Sequence, residues 1–183
     1  LSKRPMARGI EPLSMMGALI DSYESKPPLF ITGNQKLSAI NYTLPVASAQ
    51  IKSCLLLAGL YAEGETCIVE NSTTRDHTER MLRGFGYPVK TSNGQISLMG
   101  GGELHACDIE VPSDISSAAF FIVAASIAKE ADITLRAVNI NPTRTGVLDI
   151  LALMGANITL TDERVVAGEL VADIQVCSAK LRG

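Results

Sequence analysis

Tryptophan is absent from this 183-residue chain, and the remaining aromatics are four Phe and four Tyr. A core must therefore be assembled from Leu, Ile, Val, Ala and Met. Histidine is scarce: His77 and His105 are the only two. Neither has a partner at ligand spacing, so neither is assigned a metal or general-base role. The four cysteines, Cys54, Cys67, Cys107 and Cys177, form no CxxC pair and no Cys/His set with zinc-like spacing. They are expected to be reduced thiols in a cytoplasmic setting. No apolar run reaches the ~18 residues needed to cross a bilayer. The most apolar stretch, 118–128, reads instead as a buried helix. An excess of positive charge is missing as well. The net charge of −3 and pI ≈ 5.4 argue against a general nucleic-acid or membrane-surface binder, though they leave room for a local basic pocket.

What is present is enough apolar material to fold. Hydrophobic residues make up 46% and charged residues 19%, with a mean hydropathy of +0.21, far from the disordered regime. A pattern also repeats. Met16-Gly17, Phe85-Gly86 and Met154-Gly155 place three glycines 69 residues apart each time. The same step carries Arg75 onto Arg144, each preceded by Thr, and Ser48 onto Ser117. Self-similarity at a fixed period means that one supersecondary unit has been copied. The chain holds fewer than three copies, so it is expected to be a piece of a longer protein.

Within the middle copy, Asp76 and Glu79 have the spacing of a capping box, with Asp in place of Ser or Thr. Met81, Leu82 and Phe85 follow at helical spacing, and Gly86 is a left-handed stop. Strands are predicted over Tyr87–Thr91 and Gln95–Met99 around the turn Ser92-Asn93-Gly94, with another over Cys107–Val111 closed by Pro112. Gly100-Gly101-Gly102 lacks the Lys-Ser/Thr of a phosphate loop and reads as a connecting turn. A second helix runs from about Ser48, with Ile51, Cys54, Leu55 and Ala58 as its core stripe. Its counterpart starts near Asp114 and is apolar almost all round, so both faces should be covered. Strands Thr66–Glu70 and Ile133–Val138 follow these helices. The result is an α/β unit of helices sheltering a mixed sheet.

Anion-holding groups recur at matching points. Pro45 to Gln50 enters the second helix, where free amides and the dipole favour negative charge, and Ser48 and Gln50 add polar side chains; a plain N-cap is the alternative. Arg75 stands just before a helix start, a position the dipole disfavours for a cation. That cost makes sense if an anion lies between them; an ion pair with Asp76 or Glu79 is the alternative. Arg144 poses the same choice. Lys3, Arg4 and Arg8 gather around Pro5, where a guanidinium fork could grip phosphate or carboxylate, or simply face solvent.

Four ordered motifs then carry a resemblance. They are Leu1-Ser2-Lys3-Arg4-Pro5-Met6, Leu44-Pro45-Val46-Ala47-Ser48-Ala49-Gln50-Ile51-Lys52-Ser53, Thr74-Arg75-Asp76-His77-Thr78-Glu79-Arg80-Met81-Leu82 and Asp114-Ile115-Ser116-Ser117-Ala118-Ala119. Together they resemble the 5-enolpyruvylshikimate-3-phosphate synthase family, essentially end to end. Ala49 and Arg75 match its bacterial subgroup with a Ser-Ala-Gln motif.

The resemblance implies the enolpyruvyl transferase fold, a two-lobed inside-out α/β barrel of repeated βαβαββ units, incomplete here. Residues 1–111 would belong to the first, shikimate-phosphate-binding lobe, and 112–183 would begin the second after the crossover. The implied reaction moves the enolpyruvyl group of phosphoenolpyruvate to the 5-hydroxyl of shikimate 3-phosphate, without metal or organic cofactor. Arg4 matches a phosphoenolpyruvate contact, while Ser48, Ala49, Gln50 and Arg75 match the shikimate 3-phosphate site. No catalytic residue is expected within this chain, because the family's acid/base groups lie past Gly183, and turnover by the chain alone is not expected. Implied partners are the two small-molecule substrates, with no nucleic acid and no membrane. The complete form is expected to be monomeric, with self-association open to the piece. A UDP-N-acetylglucosamine enolpyruvyl transferase and a non-catalytic repeat module are the alternatives. The former uses a reactive loop cysteine that has no match here.

Overall fold

A computed structural model describes residues 3–183. The chain divides into two compact units, Leu1–His105 and Ala106–Gly183. In the first unit the elements run α1 (Ala7–Met15), β1 (Leu19–Ser22), β2 (Leu29–Thr32), β3 (Leu37–Ser38), β4 (Asn41–Thr43), α2 (Ala49–Gly59), β5 (Ala62–Glu63), β6 (Glu65–Val69), α3 (His77–Gly84), β7 (Lys90–Ser92) and β8 (Gln95–Met99). A four-stranded sheet in the order β4-β6-β8-β7 carries the main layer, parallel at β4–β6 and antiparallel elsewhere. Helix α2 packs across it. Leu55 and Leu56 meet Ile68, Ile96 and Leu98 in a core closed by Met16, Leu44, Leu82 and Tyr87.

The second unit contains α4 (Ile115–Ile127), β9 (Asp132–Asn139), α5 (Gly146–Leu153), β10 (Asn157–Val166) and β11 (Glu169–Cys177). Its antiparallel sheet has the order β10-β11-β9. Ile115, Ala118, Ile122 and Ala125 pack with Val138, Ala172, Ile174 and Val176 as a separate core.

The repeat is visible atom by atom at the three glycines. Gly17, Gly86 and Gly155 have φ of +100°, +77° and +82°, a region closed to most side chains. Each follows a helix C-cap and donates to a carbonyl of the last turn, Ser14, Arg83 and Ala152 in turn. The next residues, Ala18, Tyr87 and Ala156, donate to Leu13, Leu82 and Leu151. This paired pattern is the Schellman stop, built three times. The turn at Asn93-Gly94, with φ of +48° and +75°, closes β7 onto β8 as a two-residue hairpin.

Several expectations differ from what forms. Residues 107–111 make no strand and are exposed; a bridge forms only beyond them, at Ser113 with Val138. The strand expected from Tyr87 begins only at Lys90, because Tyr87 is drawn into the core and its hydroxyl donates to the Met99 carbonyl at 2.5 Å. Asp76 caps nothing with its side chain; its Oδ2 instead accepts from Arg80 Nε at 2.9 Å. Glu79 turns inward. On α2 the fully buried residues are Lys52, Leu55, Leu56 and Gly59; of the expected stripe Leu55 is among them, Ile51 and Ala58 pack partly buried at the edge of the core, and Cys54 lines a surface hollow. Helix α4 is covered on one side only: Phe120, Phe121 and Ile127 are exposed, since within its unit a single sheet packs against it.

The triple glycine is a packing turn, as its sequence context indicates. A Cβ on Gly100 would stand 1.9 Å from the Ala62 carbonyl oxygen, and one on Gly102 would meet the Tyr87 ring. The loop is tight because backbone and ring occupy that space.

Candidate functional site

Helix α2 begins at a cap of the expected kind. Ser48 is extended, with φ −151° and ψ 105°, and its Oγ accepts from the Ile51 amide at 3.4 Å. An accepting hydroxyl still has its own proton to donate, so capping and ligand contact are compatible. The first amides of a helix have no intrahelical partner, and the dipole there favours an anion. Ala49 and Gln50 form this first turn, and no acidic residue shares it.

Two adjoining hollows meet on this turn. One, of about 570 Å³, is lined by Ala49, Gln50, Ser53, Cys54, Leu57, Arg75 and His77. The other, of about 280 Å³, is lined by Arg4, Pro5, Met6, Arg8, Gly9, Gln50, Ile51 and Cys54. Gln50 and Cys54, one turn apart, belong to both, so the hollows are two halves of one cationic surface. Arg75 therefore lies on the same side of its unit as the start of α2. Arg8 enters from α1, whose Gly9 packs against Ile51 at 3.8 Å for an added Cβ.

The charges on this surface are open. None of the ion pairs among the described residues involves Arg4, Arg8 or Arg75. The carboxylates that could have neutralised Arg75 are engaged elsewhere: Asp76 with Arg80 at 2.9 Å, and Glu79 with Lys52 at 2.8 Å. Arg144, one repeat later, is in the opposite state. Its Nη2 lies 2.7 Å from Asp114 Oδ1 and 2.6 Å from Ser116 Oγ. The cap of α2 that corresponds to Asp114 is Ser48, which has no charge to pair with a guanidinium. The two arginines share a position in the repeat but not a partner.

Burial pushes the Cys54 thiol above its usual pKa, so it lines the hollow as a thiol rather than a nucleophilic thiolate. Among the described residues no group of His, Cys, Asp and Glu could hold a metal ion, and no helix is long and apolar enough to cross a membrane. Three guanidinia, an amide and a helix start can grip phosphate and hydroxyl groups. Ser53, Cys54 and His77 escaped assignment from sequence, whereas Arg8 belongs to the Lys3, Arg4 and Arg8 group read there. The first two were legible at three and four residues beyond Gln50, on the same helix face.

Comparison with known proteins gives the family. The model of the EPSP synthase (3-phosphoshikimate 1-carboxyvinyltransferase) family matches residues 1–180. The chain is 65% identical to the 3-phosphoshikimate 1-carboxyvinyltransferase of Vesicomyosocius okutanii and 64% identical to that of Ruthia magnifica, in both cases over its whole length and 42% of the relative's. It thus spans less than half the length of the curated relatives it matches. The EPSP synthase structure from Acinetobacter baumannii superposes with a TM-score of 0.93 at 58% identity, covering all of this chain and 42% of that one. The enolpyruvyl transferase NikO from Streptomyces tendae, at 15% identity and TM-score 0.72 over all of this chain and 44% of its own, shares the fold. By its sequence across nearly its full length, its repeat and its fold, the chain belongs to the EPSP synthase family.

Proposed function

We propose that this chain carries the shikimate 3-phosphate half of an enolpyruvyl transferase cleft. The observation that carries the reading is the convergence of Gln50 with uncompensated Arg75 on one side and Arg4 and Arg8 on the other. Arg75, Ser48 and the first turn of α2 would take the phosphate of shikimate 3-phosphate, and Gln50 a ring hydroxyl. Arg4 would face the carboxylate or phosphate of phosphoenolpyruvate. Guanidinium forks match these oxygens bidentately, and both substrates are multiply anionic.

In the longer protein, the reaction would transfer the enolpyruvyl group to the 5-hydroxyl and release inorganic phosphate. Phosphoenolpyruvate is protonated at its methylene carbon while the hydroxyl oxygen bonds to C2; the adduct then regains its double bond by losing a proton and phosphate. The groups named here position and neutralise anions, and on the family resemblance the acid and base would lie outside this chain. Its setting would be the cytoplasm. The lobe boundary would fall at 111/112, where Pro112 precedes the helix capped by Asp114.

Calorimetric titration of the chain with shikimate 3-phosphate tests the reading. Binding that weakens about tenfold in Arg75→Ala, the loss expected for one charge-assisted contact, supports it. Absence of binding, or equal binding of unphosphorylated shikimate, contradicts it.

A further inference from the structure

Beneath the cationic surface lies a charged cluster that the binding groups leave unused. Lys52, on α2 two residues past Gln50, is fully buried. Its Nζ lies 2.8 Å from Glu79 Oε1 and 3.2 Å from Glu70 Oε2, and both carboxylate side chains are less than a tenth exposed. Glu70 Oε2 also accepts from Thr74 Oγ1 at 2.7 Å. Beside this cluster, between the residue after Lys52 and the residue before Glu79, Thr78 Oγ1 donates to Ser53 Oγ at 2.7 Å. The segment between β6 and α3, which bears Arg75, is thus tied to α2 at both ends, at Glu70 where it leaves the sheet and at Thr78 and Glu79 where it enters the helix, while Thr74 bonds back to Glu70 within the segment.

Stability alone does not account for such a cluster. A buried ion pair can often be exchanged for apolar residues of similar volume at no cost. The second unit does without it: four residues past the cap of α4 stands the buried Ala118 where α2 has Lys52, and 69 residues on Glu70 and Glu79 become Asn139 and Leu148. The copy without the cluster is also the copy whose arginine, Arg144, is consumed by Asp114 and Ser116. The copy with the cluster keeps Arg75 open beside Gln50. Cluster and open arginine occur together.

We propose that Lys52 is a positioning residue which, through Glu70 and Glu79, fixes the 70–79 segment so that Arg75 stands opposite Gln50 in the phosphate-binding geometry. The proposal rests on the substrate reading above and extends it below the surface. It acts through geometry: Lys52 has no exposed surface with which to touch ligand, and a small displacement of a charged contact is felt strongly.

A double-mutant cycle tests it. The triple variant Lys52→Met/Glu70→Gln/Glu79→Leu removes all three charges while keeping side-chain volume and the acceptor for Thr74. It is expected to melt near the parent temperature yet bind shikimate 3-phosphate about tenfold more weakly. Adding Arg75→Ala should then cost less than about twofold, against about tenfold in the parent. Parent-like affinity, or a full Arg75→Ala penalty in the triple variant, overturns the proposal. Amide hydrogen exchange at 73–77, read without ligand, separates it from the substrate reading: faster exchange there with the interior of α2 unchanged supports positioning even if shikimate 3-phosphate fails to bind, and unchanged exchange refutes it. Should the triple variant not fold, Thr74→Val cuts one tie only. It should speed the same exchange and weaken binding about threefold, and no change in either measurement overturns the idea.

Discussion

Arg144 Nη2 lies 2.7 Å from Asp114 Oδ1, the cap of α4, whereas Arg75, its counterpart one repeat earlier, lies on the side of α2, whose cap is the uncharged Ser48. The pair in the second unit ties the residue before one helix to the cap of another. Burial pushes the Asp114 carboxyl up, but the Ser116 amide, the Arg144 guanidinium and the Ser117 amide outweigh it and hold the pKa below the usual value. A carboxyl depressed in the folded state contributes stability that is complete above its unfolded pKa and is lost as pH falls through the folded one. Acid unfolding should therefore steepen below about pH 4, and Asp114→Asn should flatten that portion of a stability-against-pH curve measured by denaturant melts. The effect will be modest, because the pair is partly exposed.

Cys54 offers a chemical reporter inside the candidate site. It is half-buried, and burial raises its pKa, whereas Cys107 is exposed. Thiolate is the reacting species, so a maleimide should modify Cys107 well before Cys54. Saturating shikimate 3-phosphate should slow Cys54 further and leave Cys107 alone. Mass spectrometry of the labelled peptides reads both rates; equal protection of the two would deny any local occupancy at α2.

The glycine turn after β8 separates packing from phosphate binding. Gly100→Ala would drive a methyl into the Ala62 and Gly59 carbonyls, at 1.9 and 2.7 Å, and should cost about 3 kcal/mol or more. Gly101→Ala meets open space but keeps φ at +80°, and should cost about 1 kcal/mol. Neither change should alter affinity for shikimate 3-phosphate in protein that remains folded. Chemical denaturation ranks the two directly.

The repeat was readable because its stop signal is local. Gly17, Gly86 and Gly155 each need a left-handed backbone, so the requirement is written in the residue itself. Arg75, Ser48 and Gln50 were readable for a similar reason, standing at helix starts where sequence marks both cap and dipole. Lys52 was not. A lysine on a helix ordinarily faces water, and its burial depends on Glu70 and Glu79 arriving from two other elements. The single covered face of α4 was equally hidden, since composition reports that a helix is apolar but not how many neighbours its unit supplies. Residues 107–111 failed as a strand on the same ground: β-propensity describes a surface that suits a ladder, and no neighbouring strand is there to complete one.

The cost of breaking the cluster one-sidedly follows from the same geometry. Lys52→Met alone leaves Glu70 and Glu79 facing one another without their cation, and should destabilise the first unit by about 3–5 kcal/mol. Adding Glu79→Leu and Glu70→Gln should recover most of that loss. Urea melts of the single and triple variants check the pair of outcomes, and a single variant as stable as the parent would show that the ammonium carries no structural weight.

The central claim is that residues far apart in the chain form one phosphate-binding wall, and it is tested most directly by NMR of isotope-labelled chain titrated with shikimate 3-phosphate. The account predicts saturable shifts at the amides of Ser48, Ala49 and Gln50 and at the Arg75 Nε–H, following a single isotherm, with Arg144 unmoved because Asp114 already holds it. Shifts confined to one of these segments, or equal movement of Arg75 and Arg144, would contradict it.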